Sequence, residues 1–97
     1  MNEPEGPSRL YTIVCAYDGG TYLSQVTATG ARAAAANWAE AFREERPAPK
    51  GSRRLADDVL GRLGSEPPVA VQGLAGAWCV TAVARGKAAL IHIITSG

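Results

Sequence analysis

The chain has 97 residues, 46% hydrophobic and 20% charged, with 10 basic against 9 acidic residues and a formal net charge of +1. That length holds one domain, and the composition is that of a folding chain, not a disordered one. The charge balance argues against a dedicated nucleic-acid binder or a surface drawn to anionic lipid, and no apolar run approaches the roughly 20 residues that span a bilayer.

Met1-Asn2-Glu3-Pro4-Glu5-Gly6-Pro7 is polar, acidic and broken by proline. It lacks the positive start and apolar core of a signal peptide, so residues 1–8 are expected to be a frayed tail and residues 9–97 a single cytoplasmic domain. The two cysteines, Cys15 and Cys79, sit in apolar strand-like runs and are expected to be buried free thiols in a reducing compartment.

Leu10 to Tyr17 is rich in β-branched and aromatic residues and predicts a strand. Asp18-Gly19-Gly20 is a turn signal, and Thr21 to Thr29 predicts a more polar strand paired with the first in a hairpin. Ala31 to Arg46 predicts a helix with Thr29 as its N-cap. Its apolar stripe is Ala31, Ala34, Ala35, Trp38, Ala41 and Phe42, and Arg46-Pro47 ends it. Pro47 to Arg53 has no large apolar anchor and is expected to be the most mobile internal segment.

Ser52 is a candidate cap for a second helix running to about Leu63, with Leu55, Ala56, Val59, Leu60 and Leu63 inward and Gly64 just past its end. Val69 to Gln72 is a candidate short edge strand. Ala77 to Ala84, a tight turn at Arg85-Gly86, and Lys87 to Thr95 form a closing hairpin. The order β-β-α-α-(β)-β-β predicts an α+β two-layer sandwich on a mostly antiparallel sheet. Leu10–Tyr17 and Ala88–Ile94 are apolar on both faces, so the first and last strands are expected to be central neighbours with their hairpin partners outside.

Few residues offer chemistry. His92, the only histidine, shares a strand face with Leu90 and Ile94 and reads as a structural imidazole; a lone histidine makes no ligand set. Cys79 could act as a nucleophile with His92 as its base across the final hairpin, but its surroundings supply neither a cation nor a helix N-terminus to lower the thiol pKa. Asp57-Asp58 points about 100° apart on a helix and does not converge on one ion; with Arg53 and Arg54 it reads as a self-compensating face. Glu44-Glu45 reads likewise. Asp18-Gly19-Gly20-Thr21 is too short for a phosphate loop, and the aromatic residues read as packing. No cofactor or metal site is expected.

Tyr17-Asp18-Gly19-Gly20-Thr21-Tyr22-Leu23-Ser24-Gln25-Val26 before an Ala/Trp helix, with Gly73-Leu74 ahead of Ala77-Trp78-Cys79, resembles a small bacterial domain family without an assigned function. The order strand, strand, helix is also similar to HicB-type antitoxin domains, whose acidic, proline-containing hairpin is missing here, so that likeness concerns fold alone.

No motif commits the chain to a reaction. The expected function is a non-enzymatic protein-interaction or ligand-binding module acting as a homodimer, with another protein partner possible. If both helices cover one sheet face, the other face is apolar and open, which marks an interface. The alternatives are a small enzyme centred on Cys79 and His92, and a weak RNA binder using the Arg43–Arg54 region.

Overall fold

The computed structural model describes residues 7–96, so most of the expected N-terminal tail lies outside the described residues. Two strands, β1 (Arg9–Tyr17) and β2 (Gly20–Ala28), form the opening hairpin. They are joined by Asp18 and Gly19 at φ 50° and 81°, the left-handed pair that a two-residue hairpin turn needs. The helices α1 (Ala31–Glu45) and α2 (Ser52–Arg62) follow. Then come β3 (Val69–Ala70), β4 (Ala77–Ala84) and β5 (Lys87–Thr95), with Arg85 and Gly86, φ 55° and 74°, making the same turn between the last two.

The sheet has the order β2-β1-β5-β4-β3 and every pairing is antiparallel. The first and last strands are thus neighbours, as their two-faced apolarity predicts. Both helices lie on one face. There Tyr11, Ile13, Cys15 and Tyr17 of β1 and Ile91 and Ile93 of β5 meet Ala34, Ala35, Trp38 and Phe42 of α1 and Leu55, Ala56 and Val59 of α2, all buried. The alanines let α1 approach the sheet closely, while Trp38 fills the space beside them. The Tyr17 hydroxyl donates to the Ala84 carbonyl at 2.9 Å, tying the outer ends of the two hairpins together beneath the helices.

Several local expectations are corrected. Gly30, not Thr29, holds the N-cap position of α1, in extended conformation and without a side-chain cap. Ser52 is the first residue of α2, and Gly51 stands before it at φ 91°. The Ser52 hydroxyl instead accepts from the Ala48 N–H at 2.9 Å and donates to the Ala48 carbonyl at 3.1 Å, and both residues are buried. The Pro47–Arg53 segment therefore has an inward anchor that its composition hides: a small apolar residue and a serine closing a ring. The short edge strand stops at Ala70, and α2 ends at Arg62, followed by Leu63 in right-handed geometry and not by a left-handed Gly64. Ala41 is only half-buried, and Ala39 is buried instead.

Candidate functional site

Side chains alternate across a strand, so the residues between the core positions of each strand emerge on the face opposite the helices. The pairing register assembles them into rows. Leu23, Val14, His92, Cys79 and Val69 form one row across all five strands. Gln25, Thr12, Ile94 and Ala77 form the next, and Thr21, Ala16, Leu90 and Thr81 the row on the other side. Leu10 and Thr27 close one end, and Ala88 and Val83 the other. No Asp, Glu, Lys or Arg stands at any of these positions. Among the described residues every exposed large hydrophobic except Leu74 lies here: Leu10, Leu23, Val69, Val83, Leu90 and Ile94.

Cys79 and His92, the two candidates for chemistry, are cross-strand neighbours in the central row. The register thus brings them together, yet no hydrogen bond joins them among the described residues; the thiol's only polar contact is the Val80 carbonyl at 4.0 Å. Burial raises the Cys79 thiol pKa, the opposite of what a nucleophile needs. Cys79 is half-buried on the open face, which corrects its expected place in the covered interior. Cys15 is fully buried on the helix face, and burial pushes its pKa up to about 11. The two thiols lie on opposite faces of β1 and β4, strands separated by β5 and so about 10 Å apart, which is beyond the reach of a disulfide.

The carboxylates of α2 have partners other than those expected. Asp57 meets Arg43 of α1 at 3.5 Å, and Asp58 meets Arg62 at 2.7 Å. Asp58 also accepts the Val83 backbone N–H at 2.8 Å, capping the outer edge of β4. Arg46, Lys50, Arg53 and Arg54 are exposed without ion-pair partners among the described residues, whereas Arg43 is turned toward α2. No group of three or more His, Cys, Asp or Glu suited to a metal ion occurs among the described residues. No helix among them is long and apolar enough to cross a membrane.

A second feature escaped sequence reasoning. Between α1 and the edge strand β2 runs a groove of about 300 Å³, lined by Tyr22, Val26, Trp38, Ala41, Phe42 and Glu45 together with the edge residues of β2. Phe42 anchors it, 4.8 Å from the Trp38 ring and 5.7 Å from that of Tyr22. The signal was present in the stripe of α1, but only the strand order shows that its far side meets a sheet edge. Compared with known proteins, the chain matches no family model, no curated protein and no solved structure.

Proposed function

We propose that the chain is a non-enzymatic interaction module that acts as a homodimer in the cytoplasm, joined through the open face of its sheet. One observation carries this reading: a five-stranded sheet face bearing no Asp, Glu, Lys or Arg gathers nearly all the exposed large hydrophobics of the described chain, while both helices pack on the other side. Exposed apolar surfaces of this extent mark contact sites. Two-fold symmetry is the commonest way to cover one, because the same patch serves both copies. With no like charges to bring together, the association has no electrostatic penalty to overcome. Burying about 800 Å² on each copy would make an ordinary stable interface. Two cysteines on opposite faces of the sheet that cannot bridge fit a reducing compartment, and the raised thiol pKa of Cys79 disfavours a nucleophile at the centre of the face.

Size-exclusion chromatography with light scattering tests the reading. The expected mass at tens of micromolar is twice the 10.1 kDa of one chain. A monomer at that concentration would remove the dimer from consideration.

A further inference from the structure

We infer that the free edge of β2 and the groove beside it form a docking site for an extended peptide segment of a partner protein, apolar at the positions that face α1 and carrying a Lys or Arg beside Glu45. The inference does not rest on the dimer, since its backbone contacts are to the free edge of β2 and its recognition pocket lies on the helix side; only the peptide's alternate side chains extend the open face.

The two edges of the sheet are treated differently. At the far edge, β3 covers one end of β4, and Asp58 accepts the outward N–H of Val83. At the near edge, β2 is nine residues long and contains no charge and no proline, the usual protections of an edge. Its Thr27 carbonyl points outward, where it accepts from the Asn37 side chain at 3.1 Å. Backbone groups alternate along a strand, so those of Thr21, Leu23 and Gln25 point the same way. Among the described residues no hydrogen bond reaches them. An extended peptide laid along this edge would complete up to three residues' worth of ladder.

Its side chains would alternate between the open face and the groove. Those turned to the groove meet an apolar wall of half-buried Ala41 and the edges of Trp38 and Phe42, whose rings are otherwise buried in the core, so small apolar residues suit it. At the end near Thr21 the wall finishes at Glu45, which is exposed and has no ion-pair partner among the described residues; no Lys or Arg lines the groove. A basic residue in the peptide complements it. A second copy of β2 fits less well. Its helix-side residues Tyr22 and Val26 already pack against its own core and Ser24 between them is polar, so it has no apolar side chain free to fill the groove, and it would bring another Glu45 instead of a cation.

Panning a phage library of random dodecapeptides on the full chain tests this. Selected peptides should share alternating apolar residues with a flanking Lys or Arg. A synthetic copy of one should slow amide hydrogen exchange at Thr21, Leu23 and Gln25. Gln25→Pro, which removes one edge donor where proline is tolerated, and Ala41→Trp, which fills the groove, should each weaken binding about tenfold or more, while Arg54→Ala on α2 leaves it unchanged. The inference is overturned if panning selects nothing above bare support, or if the selected peptides leave those amides unaltered or bind both groove variants as tightly as the parent. It is also overturned if the three amides are protected without peptide in a concentration-dependent way, since a second copy then occupies the edge.

Discussion

Gly51 stands where the loop between the helices passes under Tyr17. At φ 91° it occupies a conformation that side chains avoid, and a Cβ there would come within 2.6 Å of the Tyr17 hydroxyl oxygen. That hydroxyl is committed to the Ala84 carbonyl, so it cannot move aside without breaking a buried hydrogen bond. Gly51→Ala should therefore lower the free energy of unfolding by about 2 kcal/mol or more, strain and lost bond together. Gly73→Ala separates the two contributions. Gly73 has φ 88° with nothing within 4 Å, so urea unfolding should show the strain alone, about 1 kcal/mol. Nothing in the run Pro-Ala-Pro-Lys-Gly-Ser distinguishes Gly51 from a mere loop glycine, because the contact that fixes it comes from Tyr17, distant in sequence.

Cys15 makes a complementary prediction in pH. Its pKa in the folded chain is raised to about 11 by burial, against an ordinary value of about 8.5 for an unfolded thiol. The folded state thus holds this proton more tightly. The associated stability is fully present below the unfolded pKa and is lost as pH climbs toward the folded one. Cys15→Ala should start less stable at neutral pH because it leaves a small void, yet lose less stability than the parent between about pH 8.5 and 11. Parallel loss in both chains would show that the thiol ionises freely.

At the scale of elements, periodicity located every long strand and both helices, because alternation and the three-to-four spacing are written in each segment alone. Caps and edges depend on what lies across the fold and were not legible there. Ser52 was a reasonable cap by type, but its hydroxyl is taken by Ala48. Asp58 is the clearest case. In sequence it is half of a carboxylate pair one turn from two arginines; in the fold it turns to β4 and to Arg62. Asp58→Ala should lower stability by about 1 kcal/mol through the uncapped Val83 N–H and the lost ion pair. Asp58→Asn keeps an acceptor for Val83 and should lose roughly half as much. Thermal or urea unfolding of the three chains ranks them, and equal losses in both variants would assign the whole effect to the charge.

At the scale of the whole molecule, the alternating residues of β1 and β5 raised the prospect of two apolar faces, but not how many helices cover each. That depends on the crossover from β2 to β3, which carries both helices over the same side. The central row, from Leu23 through Val14 and His92 to Cys79 and Val69, emerges only when four registers are laid together. Its consequence can be tested without disturbing the core. Leu90 and Ile94 are 40% and 39% exposed on the open face, whereas Ile91 between them is fully buried against the helices. Introducing Leu90→Glu and Ile94→Glu together places charges in the proposed interface but leaves the helix-side packing intact. The folded chain loses only the modest strand preference of the replaced residues, about 1 kcal/mol or less at each position. Two copies brought face to face would have to desolvate four carboxylates, which an interface without cations cannot offset. The doubly substituted chain should keep the circular dichroism of the parent, elute with the mass of one chain, and unfold in urea at a midpoint independent of protein concentration, where the parent midpoint rises with concentration. Ile91→Glu, by contrast, should abolish folding, since it buries an unpaired charge in the core. If the doubly substituted chain remained dimeric and folded, the copies would have to meet elsewhere, and the uncharged face would have to be a site for a different partner.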